Sequence, residues 1–205
     1  MFFQEPGWPD KYNNVAMMCD WGRSQLIIHR VTPDGPSFTQ EPENFIKLHQ
    51  ITDVDSDASG RLYAGAWAGA GYKGSPNKGW VECIVPQNWK YKPFVAPAKL
   101  ADQALVALLR SQSSSARLAA SQELLSRPQL AAAVAAIAID KKAALYSRVA
   151  AIFTYRQMAG QQAVKGLVKL VADSTVREWA LRALADRKSQ VEGVSTGLFT
   201  AALKD

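Results

Sequence analysis

Cysteine is scarce. Cys19 and Cys83 stand 64 positions apart, which excludes a disulfide framework and a zinc-binding spacing. No C-x-x-C-H motif occurs, so no c-type haem is attached to this chain. Both cysteines fall in strand-like segments and read as small apolar residues. Long apolar runs are missing too. A membrane-spanning helix needs about 20 such residues, whereas the most apolar stretch, Leu130 to Ile139, has ten and is Ala-rich, as suits a buried helix. The start, Met1-Phe2-Phe3-Gln4-Glu5-Pro6, lacks a basic segment followed by an apolar core and is not a signal peptide. The chain is then either cytoplasmic or the continuation of a longer one. A nucleophile–base pair, a metal cluster and a phosphate-binding loop are also absent from the pattern, and the Gly69 to Gly79 loop has neither Walker nor Rossmann spacing.

What is present describes a globular protein: 48% of residues are apolar, 20% charged and 9% aromatic. The net charge of +6 is unevenly placed. Residues 1–97 hold 9 Lys and Arg against 10 Asp and Glu, while residues 98–205 hold 15 against 8. A basic half attracts anionic partners, but these cations are spread singly along helices, with no run longer than Lys141-Lys142 or Arg187-Lys188. That dispersal argues against a nucleic-acid surface.

Short strand patterns broken by turn residues fill the first half. Ser24 to Val31 stops at Thr32-Pro33-Asp34-Gly35, a strong turn signal. Asp57-Ala58-Ser59-Gly60 reverses the chain into Leu62 to Trp67, and Trp80 to Val85 is a further strand. Closely spaced short strands predict a sandwich, barrel or propeller. Asp53, Asp55 and Asp57 match the start of an EF-hand loop. However, Ala58 stands where that loop needs Gly and Ala64 where it needs a bidentate carboxylate, so they read as strand and turn aspartates.

The rhythm becomes helical near Pro93 to Pro97. Seven apolar stripes follow, the last about Ser195 to Lys204, with Ser113 or Ser114, Asp140, and Asp173 or Ser174 as expected N-caps. Arg117-Leu118-Ala119-Ala120, Arg148-Val149-Ala150-Ala151 and Arg177-Glu178-Trp179-Ala180 share R-x-x-A at separations of 31 and 29 residues. A period near 30 with two helices per unit predicts a helical solenoid. Its framework is Arg117, Arg148 and Arg177 with the small Ala120, Ala151 and Ala180.

Two segments carry a family resemblance. Thr52-Asp53-Val54-Asp55 through Leu62-Tyr63-Ala64-Gly65-Ala66-Trp67 resembles the hairpin that opens a blade in NHL-like and sugar-dehydrogenase-like propellers. Val176 to Asp186 resembles the short HEAT-like repeats of phycobilisome lyases. With Gln4-Glu5-Pro6-Gly7-Trp8 and Cys19-Asp20-Trp21-Gly22-Arg23, nearly the whole chain resembles a bacterial multidomain family of membrane-bound dehydrogenases. In that family a glucose/sorbosone-dehydrogenase-like propeller precedes HEAT-like repeats and often a cytochrome c domain. The implied architecture is the last one to two blades of a β-propeller over 1–92, a linker over 93–97, and HEAT-like repeats over 98–205 forming three pairs plus an unpaired helix. The chain then reads as a fragment or truncated product, with blades upstream and a V-R-x-x-A helix downstream as its partners, and the resemblance implies a periplasmic setting. The resemblance implies haem c or a quinone for the parent family, whereas no cofactor is expected in this chain. Gln50 and Thr52 stand where arginines would help hold an anionic quinone.

Trp21, Arg23 and Trp67 are candidates for lining a ligand-facing surface, with indole faces suited to the CH surface of a sugar ring. His49 and Asp53 join them beside the inner strand. Three functions compete. The first is a non-catalytic interaction module of an extracytoplasmic sugar-dehydrogenase-like protein, with the helical repeats as a protein-binding or domain-linking scaffold. The second is part of a sugar-oxidising active site, and the third a nucleic-acid-binding scaffold.

Overall fold

The computed structural model describes residues 1–69, 76–188 and 191–203. Most of the Gly69 to Gly79 loop and the end of the last expected helix at Lys204 lie outside the described residues. The chain divides into two compact units. One is Met1–Phe94 with Gln112–Ser115, and the other is Val95–Ser111 with Ala116–Asp205.

The first unit holds two antiparallel sheets. Strands β1 (Phe2–Phe3), β2 (Val15–Asp20), β3 (Gln25–Asp34) and β4 (Ser37–Lys47) pair in chain order. Strands β5 (Asp53–Ser56), β6 (Leu62–Trp67) and β7 (Gly79–Ile84) form the second sheet. Alternation explains the buried faces: Val15 and Met17 of β2, and Leu62, Ala64 and Ala66 of β6, point inward. Both sheets feed one core of Phe3, Val15, Leu26, Ile28, Val54 and Leu62 among others.

This arrangement corrects the expectation of a partial propeller. The sheets have four and three strands, are not closed, and are not shown as blades of a ring. The period-two pattern records which face of each strand is buried, and it carries no information on how sheets close. Strands β3 and β4 also run for ten and eleven residues, and the outer half of their hairpin, Val31 to Pro42, is exposed on both faces.

The N-terminal segment is tied to the β5–β6 turn. The Trp8 indole N–H donates to the Gly60 carbonyl at 2.7 Å, and the Phe3 ring meets Trp8 edge-on at 5.0 Å. Gly60 has φ +89°, and a Cβ there would lie 2.9 Å from the Pro6 carbonyl oxygen. Only glycine combines that dihedral with that approach.

The second unit is helical: α1 (Asp102–Leu108), α2 (Ser114–Leu124), α3 (Ala131–Ile139), α4 (Leu145–Ala159), α5 (Val164–Leu170), α6 (Arg177–Ala185) and α7 (Thr196–Ala202). Leu105, Leu124, Val134, Ile152, Leu167 and Leu184 belong to its single core. Helix α3 packs along α4, α5 along α6, and α4 touches α6, while α1 and α2 meet through the shared core that holds Leu105, Ala120 and Leu124. The expected HEAT solenoid is therefore corrected: helices of uneven length, 7 to 15 residues, share one core, and a solenoid is not shown. A sequence repeat specifies local helix patterns, and it does not by itself fix how successive pairs stack.

The repeated arginines share one local role. Arg117 donates to the Ser111 carbonyl at 2.8 Å, Arg148 to Ala138 at 3.0 Å and Arg177 to Val171 at 3.0 Å. Each thereby satisfies a carbonyl at or beyond the end of the preceding helix, where no intrahelical partner exists. Ala120, Ala151 and Ala180 are fully buried beside them. The expected caps differ. Asp140 and Asp173 do not cap α4 and α6. Each accepts from the backbone N–H two residues on, at Lys142 and Thr175, while its other oxygen pairs with Arg110 or Arg148.

Gly60→Ala should lower the stability of the chain by about 1–3 kcal/mol, the usual range for a strained backbone position. A urea melt followed by tryptophan fluorescence reads this, and an unchanged midpoint would refute the close approach. The Asp173 carboxyl is held below its ordinary range chiefly by the hydrogen bond from Arg148, with burial opposing. A lowered folded pKa stabilises at pH above the unfolded value, about 3.9, and that contribution is lost as pH falls through the folded value. Asp173→Asn should therefore reduce the urea midpoint at neutral pH. It should also lose less additional stability than the parent chain as the pH is lowered into the acid range.

Candidate functional site

Three of the sequence candidates meet at one end of the first unit. Trp21 opens the β2–β3 turn, which closes with Ser24 in the left-handed region at φ 55°. Asp20 organises that turn: its Oδ1 accepts the Arg23 N–H at 2.8 Å and its Oδ2 pairs with the Arg23 guanidinium at 3.0 Å. These contacts, the backbone N–H of Arg23 first, hold the Asp20 carboxyl below its usual range. Ser24 then fastens the next segment. Its carbonyl accepts the Leu48 N–H at 3.0 Å, and its hydroxyl accepts the Gln50 N–H at 3.0 Å.

His49 sits within that fastened segment and makes a reciprocal pair with Trp67. The Trp67 N–H donates to the His49 carbonyl at 3.4 Å. His49 Nδ1 lies 3.1 Å from the Trp67 carbonyl. A carbonyl only accepts, so the Nδ1–H donates to it and Nε2 is left free of this pair. Trp67 is thereby brought to Trp21, with ring centroids 6.0 Å apart and planes inclined by 38°. Both indoles are half-buried and His49 is exposed.

Trp21, His49 and Trp67 thus form one aromatic edge, with Arg23 on the same turn as Trp21. Asp53 stands apart from it: its Oδ1 accepts the neighbouring Val54 N–H, and its backbone pairs with Gly65. Asp57 belongs to the reversal before β6, where it accepts from Ser59, Arg61 and Tyr63. Burial pushes its carboxyl up, but the hydrogen bonds from Ser59 and Arg61 outweigh this and leave it lowered. Arg117, Arg148 and Arg177, with their alanines, lie in the helical unit as the carbonyl donors described above. Sequence reasoning passed over Trp89-Lys90-Tyr91-Lys92-Pro93-Phe94. Its alternation of aromatic and cationic side chains was the available signal.

The aromatic edge can stack on a ring and offer hydrogen bonds from His49 and Arg23. Among the described residues, no group of three or more His, Cys, Asp or Glu gathers to hold a metal ion. Among them, too, no helix is long and apolar enough to cross a membrane. No protein family, curated protein or solved structure matches the chain.

The Trp21–Trp67 pair should give an excitonic couplet in circular dichroism. Trp21→Phe and Trp67→Phe should each remove it to the same extent, and loss in only one variant would show that the two rings do not couple.

Proposed function

We infer that the chain is a non-catalytic interaction module that holds a sugar-like ring on the Trp21–Trp67 edge. The observation that carries this reading is the reciprocal His49–Trp67 pair, which fixes one indole 6.0 Å from the other and leaves polar groups at its border. Two inclined indoles present apolar faces to the CH surface of a ring, and an imidazole and a guanidinium at the rim accept from or donate to hydroxyls. The sugar class also follows from the resemblance of Thr52 to Trp67 to sugar-dehydrogenase-like hairpins, and stands as part of the proposal.

The helical unit supplies the protein-facing part of the reading. Leu118 on α2 and Leu125 in the turn just after it are 62% and 44% exposed. Exposed large apolar side chains suit a protein partner.

Calorimetric titration of the full chain with neutral monosaccharides and disaccharides should show weak, saturable binding. Trp67→Ala should weaken it at least tenfold, a loss of about 1.4 kcal/mol. The same sugars with an artificial electron acceptor should give no turnover above background. Turnover would defeat the non-catalytic reading, and full binding by both Trp21→Ala and Trp67→Ala would defeat the site.

A further inference from the structure

We propose that a second site in the first unit, the cleft beside Trp89, binds a carboxylated sugar ring. The cleft has a volume of about 470 Å³ and is walled by Pro6, Trp89, Pro93 and Phe94, with Lys90 and Lys92 on its border. None of Trp21, Arg23, His49, Asp53 or Trp67 lines it, so the inference stands independently of the Trp21–Trp67 edge. The volume falls within the range of small-molecule sites, about 300–1,000 Å³.

The indole is set in place by backbone that only glycine permits. Gly7 and Gly60 both have positive φ, at +85° and +89°, and their ideal Cβ positions fall 3.6 and 3.5 Å from the Trp89 ring. The Trp89 backbone N–H donates to the Pro86 carbonyl at 3.1 Å. Tyr91 stands 5.9 Å from the indole, and the Arg61 guanidinium lies 4.8 Å over Tyr91. Segments far apart in sequence, at Pro6-Gly7, Ala58-Ser59 and 88–94, therefore converge on the cleft, and its aromatic rings, Trp89 and Phe94, come from the last of these.

Charge selects the ligand. Arg61 is already neutralised by Asp57 at 2.7 Å. Lys90 and Lys92 border the cleft, and among the described residues no carboxylate lines it and no ion pair engages either lysine. The cleft is thus complementary to an anion. Walls of proline and aromatic rings disfavour a multiply charged phosphate, because desolvating a dianion costs more than desolvating a monoanion. A carboxylate on a ring meets both demands, with the ring on Trp89 and the charge between the lysines. Ser59 and Asn88, which also line the cleft, are placed for ring hydroxyls. Such a ring can come from a free uronic acid or from the end of an acidic polysaccharide.

Titration of the full chain with galacturonate, a galacturonate oligomer, galactose, inorganic phosphate and a Glu-rich peptide tests this. Galacturonate should bind at least tenfold more tightly than galactose. Its affinity should fall several-fold between roughly 0.01 M and 0.15 M salt, as the Debye length shortens. Lys90→Gln with Lys92→Gln, both exposed, should lose tenfold or more in affinity while melting like the parent chain. Trp89→Phe should weaken binding, whereas Trp21→Ala should leave it unchanged. Equal affinity per site for monomer and oligomer would identify a free uronic acid, and tighter oligomer binding an acidic polysaccharide. Absence of uronate binding, equal binding of galactose, tighter binding of phosphate or the peptide, or an unaffected lysine double variant would each overturn the proposal.

Discussion

The first unit depends on one close approach, that of the Gly60 backbone to Pro6 and Trp8. The Gly60 carbonyl takes the Trp8 indole N–H, and its Cα leaves no space for a side chain against Pro6. Through that contact the N-terminal segment closes over the core shared by the two sheets, with Phe3 and Trp8 among its buried members. The same reversal carries Asp57, which satisfies Ser59 and Arg61, and its glycine edge seats Trp89. One φ-positive residue therefore serves the core, the turn and the cleft at once.

The helical unit answers a different requirement. Short helices leave their terminal carbonyls without partners, and here those carbonyls lie next to a buried cluster. Arg117, Arg148 and Arg177 meet that demand with guanidinium donors reaching back from the start of the following helix. Arg148, 3% exposed, also pairs with Asp173, so its charge is compensated where it is buried. A buried guanidinium without such a partner would be strongly unfavourable.

Local features were legible in the sequence because local chemistry determines them. The Asp57 to Gly60 reversal and the change to helical spacing near Pro93 to Pro97 each follow from a few adjacent residues, whereas Thr32-Pro33-Asp34, expected to turn, continues β3 and the chain reverses only at Gly35-Pro36. The R-x-x-A spacing likewise pointed to three arginines that now share one bonding pattern. What failed was non-local. Nothing in the alternation of β2 or β6 says whether sheets stay open or close into a ring, and nothing in a thirty-residue repeat says how successive helix pairs stack. The site was half legible. Trp21 and Trp67 were marked as aromatic candidates, but their meeting rests on Ser24 bonding to Leu48 and Gln50, contacts that span the whole β3–β4 hairpin. The Trp89 cleft was invisible because it needs Gly7, Gly60 and the segment after β7 together.

The long β3–β4 hairpin has a consequence for solubility. Strand β4 ends its sheet, and in the outer half of the hairpin Val31 of β3 and Phe38 of β4 are 48% and 60% exposed. A ribbon of that kind invites another chain to add on along its free margin. Pro42, flanked by Glu41 and Glu43, lies within that margin opposite His29. Proline removes a donor, and the Glu41 carboxylate adds a charge to that margin, whereas Glu43 is paired with Arg30. Replacing these three residues with β-branched neutral ones would turn a tolerated ribbon into a template for fibre growth.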